Sequence, residues 1–266
     1  MKRQRHHHVI YPVTMKERLY AIVLGPLVIV ALMYLVFALY PQFAPSGQAV
    51  SLATITIAAL HTLARLLVAY ALAVVVAVPL AILVTHNTAI EAVLLPVFDI
   101  LESVPILALF PVIILLFIQF NFLNGAAVFI LFLTMLWNIV FTLVGGIKII
   151  PKDIIAAARV FGLSGFAMLR RVTLPAIVPQ LVTGSILAVA QGWNLIIVAE
   201  VLHTYIPGGT SAQDLFGVGS ILVNAAANAQ THVFLLSVTV MIVIIGAVNF
   251  FVWQKLLHYS QRFRFD

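Results

Sequence analysis

Long apolar runs alternate with short polar connections along the chain. A helix that crosses a bilayer needs roughly 20 consecutive, mostly apolar residues, and six runs reach that length. They cover residues 19–40, 57–84, 92–120, 126–147, 181–202 and 232–253. The pattern therefore predicts an all-α polytopic membrane protein with six transmembrane helices.

The third run differs from the others because it contains three prolines, Pro96, Pro105 and Pro111. Each proline removes a backbone hydrogen-bond donor and clashes with the preceding turn of a helix. We therefore expect this span to be kinked or broken. A short helix is predicted over residues 218–228, in the glycine-rich loop before the sixth run.

One polar island, residues 148–180, interrupts the apolar pattern with the sequence KIIPKDIIAAARVFGLSGFAMLRRVTLPAIVPQ. Pro151 favours the start of a helix, and Gly162 favours its end in the left-handed conformation. Ser164 suits the cap of a second short helix, which we expect to end at Pro175. The island is thus predicted to form a helix–turn–helix elbow.

The composition indicates that the solvent of this fold is lipid. Of 266 residues, 64% are hydrophobic and 8% are charged, whereas a soluble domain carries about 25% charged residues. The lack of cysteine excludes disulfides and thiolate metal sites. We interpret the run His6–His8 as incidental and predict no metal site. The sequence contains no GxxxxGK[ST] phosphate loop and no catalytic set, so an enzyme is not expected. A basic excess in a membrane protein usually reports cytoplasmic loops, so a nucleic-acid-binding protein is not expected either.

Lysine and arginine are segregated to one side of the predicted membrane. With six spans, both termini, the turn at 85–91 and the polar island share a side that carries 13 of the 14 Lys and Arg residues. The connections 41–55, 121–125 and 203–231 carry none. Because positive charge is retained in the cytoplasm, we expect the island and both termini to be cytoplasmic. The exception is Arg65, inside the second span.

Charged side chains at membrane depth cost about 2.5–3.5 kcal/mol on insertion scales and are candidates for function. Arg65 and Glu200 either pair across the bundle or leave the arginine free to attract an anion. Asp99 and Glu102 lie in the proline-broken span. Uncharged side chains within the spans either line a path or pack helices together. The candidate path residues are Arg65, Glu102, Asn138, Trp193, Asn194 and Glu200.

The polar island also carries a spaced motif. Ala156-Ala157-Ala158 is followed by Gly162 after three residues, and nine further residues separate this glycine from Val172-Thr173-Leu174-Pro175. The spacing resembles the Glu-Ala-Ala…Gly…Ile-x-Leu-Pro signature of permease subunits of binding-protein-dependent ABC importers. Two positions depart from it, since Ala156 replaces the usual glutamate and Val172 the usual isoleucine. The usual role of the glutamate is therefore not transferred.

The resemblance covers about residues 55–255 and extends to the branch that imports nitrate, sulfonates, taurine and similar anions. Pro105, Trp137-Asn138, Trp193 and Glu200 resemble their counterparts in that branch. The resemblance implies a type I, MetI-like permease fold and a small anion as cargo. The implied coupling residues, which would contact an ATPase, are Ala156, Ala157, Ala158, Arg159, Gly162, Leu174 and Pro175.

The resemblance also implies partners and a location. These are a second permease subunit, identical or different, two cytoplasmic ATPases that bind the ATP and Mg²⁺, and an extracytoplasmic solute-binding protein. We expect no cofactor in this chain and place it in the inner membrane of a prokaryote. The residues alone leave an alternative, an ion-coupled secondary transporter.

The expected organisation has four parts. A cytoplasmic basic tail covers residues 1–18, and an additional first span with its outer loop covers 19–54. The permease core covers 55–255 and contains the coupling loop 148–180. A second cytoplasmic tail covers 256–266.

Overall fold

The computed structural model describes residues 50–263, and every regular element within them is helical. The long helices are α1 (Leu52–His86), α2 (Thr88–Ser103), α3 (Ile106–Gln119) and α4 (Leu123–Lys148). The following elements are α5 (Lys152–Val160), α6 (Gly165–Met168), α7 (Leu174–Ala176), α8 (Val178–Glu200), α9 (Val218–Ala227), α10 (Thr231–Val248) and α11 (Gln254–Ser260). The predicted basic tail and first span lie outside the described residues.

Among residues 50–263, four helical stretches are long and apolar enough to cross a membrane. They are α1, α4, α8 and the run Thr231–Phe263, which joins α10 and α11 through a π-helical turn at Asn249–Trp253. The pair α2 and α3 makes a fifth if it counts as one broken span. Within residues 50–263 this agrees with five of the six predicted spans. The sixth predicted helix, however, continues beyond Trp253 into the part expected as a tail.

The break between α2 and α3 confirms the expectation for the proline-rich run. The two helices meet at an angle of 85°. Val104 and Pro105 both leave helical geometry, with ψ values of 122° and 114°. A residue before proline is pushed towards extended backbone, and Pro105 then precedes the first turn of α3. Pro96 and Pro111 remain inside their helices.

The core forms where α1 and α8 pack on α4. Along α1, four alanines at intervals of four residues are fully buried: Ala69, Ala73, Ala77 and Ala81. Side chains four residues apart share one helix face, so these alanines form a ladder. Their small size allows a neighbouring backbone to approach closely, as is common between membrane helices.

The predicted elbow is present between α4 and α8. Helix α5 follows Pro151 and ends at Val160 with Phe161 as its C-cap, and Gly162 then adopts a left-handed φ of 76°. The N–H of Leu163 donates to the carbonyl of Ala158, and that of Gly162 to the carbonyl of Arg159. These two bonds form a Schellman motif, which satisfies the last carbonyls of a helix.

The second arm of the elbow differs from the prediction. Ser164 occupies the N-cap position of α6, but its side chain makes no capping bond. Pro175 does not end the arm, because a π-helical turn at Leu169–Thr173 leads into α7 and the break comes at Ile177. The N–H of Leu174 bonds five residues back, to Leu169. Pro175 has no N–H and cannot donate the i→i−4 hydrogen bond of an α-helix, and the wider turn accommodates it.

Candidate functional site

The turn of the elbow exposes large apolar side chains. Val160, Phe161 and Phe166 are 85%, 82% and 74% exposed, and we call these three residues the elbow tip. Monomeric proteins rarely leave clustered aromatic side chains uncovered in water. The tip is therefore a candidate contact surface.

The predicted coupling residues divide between this surface and its support. Ala156, Ala157, Arg159 and Gly162 are exposed, whereas Ala158 is buried. Leu174 and Pro175 are half-buried in the second arm, next to the buried residues that join it to α8. The spaced motif thus combines an exposed face with the residues that fix the elbow to the bundle.

An ion pair that the sequence did not suggest anchors the entrance to the elbow. Lys148, the last residue of α4, pairs with Glu91 in the first turn of α2. Both side chains are partly exposed, and surface ion pairs contribute only about 0–1 kcal/mol. The pair therefore fixes the relative position of two helix ends more than it stabilises the fold.

At the opposite end of the bundle, Arg65 and Glu200 form a buried ion pair. Arg65 Nη1 lies 2.7 Å from Glu200 Oε1, and the two side chains are 11% and 0% exposed. The arginine also donates from Nε to Asn124 Oδ1 (2.9 Å) and from Nη2 to the carbonyl of Phe216 (3.0 Å). The pairing is one of the two alternatives that the sequence left open for Arg65.

Glu200 also holds the start of α9. Its Oε2 accepts a 2.8 Å hydrogen bond from the N–H of Gly219, and its Oε1 accepts one of 2.7 Å from the Thr62 hydroxyl. The N–H of Val218 in turn donates to the Thr62 oxygen. A carboxylate is favoured at a helix N-terminus, where unpaired N–H groups carry partial positive charge.

Glycine is required where α9 meets this carboxylate. A Cβ on Gly217 would overlap the Glu200 carboxylate, and one on Gly219 would lie 2.7 Å from Ile197 Cα. The only sequence signal for this contact is the spacing Gly217-Val218-Gly219. We call Thr62, Arg65, Asn124, Glu200 and Gly219 the Arg65–Glu200 cluster.

A cavity of about 450 Å³ opens beside the break between α2 and α3. Its polar lining includes Glu102 and Ser103 at the break, Thr134 and Asn138 on α4, and Gln191 on α8. Two of the predicted path residues, Glu102 and Asn138, therefore face one space. Gln191 joins them, and so does Thr134, which was not among the predicted residues.

The other four predicted path residues lie elsewhere. Trp193 is buried in the core, at 7% exposure, and Asn194 is exposed one turn beyond Gln191. Arg65 and Glu200 belong to the cluster at the end of the bundle. Among residues 50–263, no three His, Asp or Glu side chains are placed to hold a metal ion.

The chain matches the model of one protein family over residues 73–263, described as binding-protein-dependent transport system inner membrane component. That match covers the broken span, α4, the elbow and all following helices. The chain belongs to this family. The resemblance that the elbow motif suggested is thereby confirmed.

Curated relatives of this permease include anion transporters. It is 33% identical over 159 residues to the nitrate import permease protein NrtB of Leptolyngbya laminosa. The aligned residues are 60% of this chain and 56% of that one. It is also 33% identical over 170 residues to the bicarbonate transport system permease protein CmpB of Synechococcus elongatus, with 64% and 59% covered. The permease thus aligns with less than two thirds of the length of these relatives.

A solved structure shares the fold of the permease. A chain of the MetNI methionine ABC transporter in an inward-facing conformation superposes with a TM-score of 0.61 at 19% identity. The match covers 75% of this chain and 92% of that one. The predicted type I, MetI-like fold is therefore confirmed.

Proposed function

We propose that this chain is the membrane-spanning permease of an ATP-driven importer, and that its elbow is the contact through which a cytoplasmic ATPase drives transport. The observation that carries the proposal is the elbow itself. A Schellman turn at Gly162 holds an exposed tip at the end of two helical arms. The arms continue into α4 and α8, so a force on the tip reaches two spanning helices.

The proposal includes the assembly that such a permease requires. Two ATPases bind ATP and Mg²⁺ in the cytoplasm, a second permease copy, identical or different, completes the path, and an external binding protein delivers the solute. The basic elbow and both termini lie on the cytoplasmic side of a prokaryotic inner membrane. The clustering of Lys and Arg on the predicted elbow side supports this orientation.

We propose a small anion as the cargo, in line with the nitrate and bicarbonate named for the relatives. The path passes the cavity at the broken span, where Glu102, Asn138 and Gln191 meet, and Asn194 extends this polar face along α8. Trp193 supports the face from the core. Arg65 and Glu200 act at the outer end of the path by fixing α9.

Substitutions at two glycines, Gly162 and Gly145, test the coupling role. A Cβ added at Gly162 or at Gly145 would meet only open space, but Gly162 alone of the two has a positive φ. A non-glycine residue in the left-handed region costs about 1–2 kcal/mol. In proteoliposomes that contain the permease with its ATPase and binding protein, Gly162→Val should lower ATP-driven uptake about tenfold. Gly145→Val should leave it within twofold of the wild type.

Equal uptake by the two variants would contradict the coupling role. Uptake by the permease alone, without ATP and driven by an ion gradient, would instead support the alternative of a secondary transporter. The two results are distinguished by omitting the ATPase from the vesicles.

A further inference from the structure

Two hydroxyl groups in the cavity beside the break between α2 and α3 act only as hydrogen-bond acceptors. The Ser103 hydroxyl donates to the carbonyl of Asp99 at 2.7 Å, and the Thr134 hydroxyl donates to the carbonyl of Ile130 at 3.0 Å. A hydroxyl has one proton, so neither oxygen has a proton left to donate. Both side chains therefore present lone pairs to whatever enters the cavity.

Glu102 adds a negative charge to these acceptors. It lines the cavity and is exposed, and an ionised carboxylate accepts hydrogen bonds but donates none. Among residues 50–263, those that line the cavity include no lysine, arginine or histidine to neutralise this charge. An anion that offers only acceptors would therefore meet a like charge and lone pairs at this side of the cavity.

The side-chain donors of the lining belong to other helices. Asn138 donates one N–H to the carbonyl of Thr134 at 3.2 Å, which leaves its second N–H for the cavity. Gln191 contributes its amide, and Trp137 its indole N–H. These donors lie on α4 and α8, whereas Glu102 lies at the end of α2. The cavity thus offers donors for the negative group of a cargo and, separately, a carboxylate.

We propose that Glu102 selects an anion that itself carries a hydrogen-bond donor, an O–H or an ammonium N–H, over an anion that offers only acceptors. The inference rests on the proposed import of an anion and names the chemistry of that cargo. The donor of the cargo binds the Glu102 carboxylate, and its negative group binds the amides of Asn138 and Gln191. A charge-assisted hydrogen bond then forms with one class of anion, whereas the other class leaves the carboxylate unpaired.

Two pairs of anions isolate the effect of the donor. Nitrate and bicarbonate are both planar, singly charged and of similar size, but only bicarbonate has an O–H. Ethanesulfonate and taurine share a sulfonate on a two-carbon chain, but only taurine has an ammonium group. The first pair tests an O–H as the donor, and the second tests an N–H.

The experiment measures how each anion protects a single cysteine in the cavity from a maleimide. The chain has no native cysteine, and Leu109 lines the cavity and is 38% exposed, so Leu109→Cys supplies the reporter. The permease is reconstituted with its ATPase but without the external binding protein, which would add a selectivity of its own. In at least one pair, the donor-bearing anion should halve the labelling rate at a concentration at least about tenfold lower than its partner does.

Two further variants carry the same reporter. Glu102→Gln should reduce the preference to less than about threefold, because the amide keeps the shape of the side chain and can donate to an acceptor-only anion. Asp99→Asn is the matched control. Asp99 is an exposed carboxylate one turn earlier on α2 and is not part of the cavity lining, so the preference should remain.

Several results would overturn the inference. Equal protection within both pairs, or stronger protection by nitrate and ethanesulfonate, shows that no donor is selected. A preference that survives Glu102→Gln, or that Asp99→Asn removes equally, shows that the Glu102 carboxylate does not make the contact. No protection by any of the four anions, while ATP-driven uptake proceeds once the binding protein is added, shows that the cargo does not bind in this cavity. Absence of that uptake as well removes the proposed function with it.

Discussion

Glu200 is the residue that holds together the end of the bundle opposite the elbow. It is fully buried, and its two oxygens accept from Arg65, Thr62 and Gly219. These contacts join α1, α8 and the start of α9, and Arg65 extends them to Asn124 at the start of α4. A buried charge with this many partners is costly to leave unpaired.

Removing this carboxylate should therefore be far more harmful than removing an exposed one. We expect Glu200→Ala to lower the free energy of unfolding by about 3–5 kcal/mol, because Arg65 would remain buried without its partner. Thermal unfolding in detergent measures the loss. Glu102→Ala, at an exposed position, serves as the control and should change stability by less than about 0.5 kcal/mol.

A double substitution separates the ion pair from the rest of the cluster. Arg65→Met should lower the free energy of unfolding less in a Glu200→Met background than in the wild type, since the arginine there has already lost its ionic partner. If the two substitutions are simply additive, the ion pair contributes nothing to the stability of the bundle.

The sequence predicted part of this cluster. Arg65 and Glu200 were identified because charged side chains within apolar runs need partners. Thr62, Asn124 and Gly219 were not, because an uncharged residue gives no comparable signal and their meeting depends on tertiary packing. The same limit applies to Lys148 and Glu91, because the sequence pattern assigns both charged residues to connections, where a charge needs no partner.

At the scale of elements, the spans and their interruptions followed from the pattern, but the π-helical turns did not. Pro105 marks the break between α2 and α3 because a proline constrains the residue before it as well as itself. Pro175 gives the same signal in the sequence, yet the π turn at Leu169–Thr173 carries the helix past it. Neither hydropathy nor the proline positions distinguish this π turn from an ordinary helix end.

The broken span should be sensitive to Pro105 and not to Pro96. Pro105→Ala restores a backbone donor at the break and lets α2 continue towards α3, which reduces the 85° bend. The cavity lies at this bend, so we expect ATP-driven uptake to fall at least fivefold. Pro96→Ala, inside α2 and also exposed, should have little effect.

A cysteine placed at the break reports on the geometry directly, because the chain has no native cysteine. Val104→Cys should react readily with a polar maleimide in the otherwise unchanged permease and slowly in the Pro105→Ala variant. Unchanged labelling together with unchanged uptake would show that Pro105 does not maintain the break.

At the scale of the whole molecule, the segregation of Lys and Arg predicts how the chain is oriented in the membrane. The elbow lies at one end of α4 and the loop that follows α8 lies at the other, as expected for antiparallel spanning helices. Hydropathy predicted the spans within residues 50–263, and the positions of Lys and Arg predict their direction across the membrane. The sequence could not identify the partner chains, because one chain does not contain the surfaces that complete the complex.

Single cysteines test this orientation in intact cells. Ala157 and Ser211 are both exposed, on the elbow and in the opposite loop. A membrane-impermeant maleimide should label Ser211→Cys in intact cells and Ala157→Cys only after the membrane is opened. Both should react in detergent, which controls for reactivity. Labelling of both from the outside would refute the proposed topology.

The alanine ladder of α1 has a mechanical consequence. Alanine has no side-chain rotamers to rearrange, so at these positions α1 itself cannot absorb a displacement by repacking. The two helices should move as one lever. With 35 residues and a rise of 1.5 Å per residue, α1 is about 52 Å long, whereas the hydrocarbon core is about 30 Å thick. We therefore expect a shift imposed where the elbow leaves α4 to reach the part of α1 that carries Arg65.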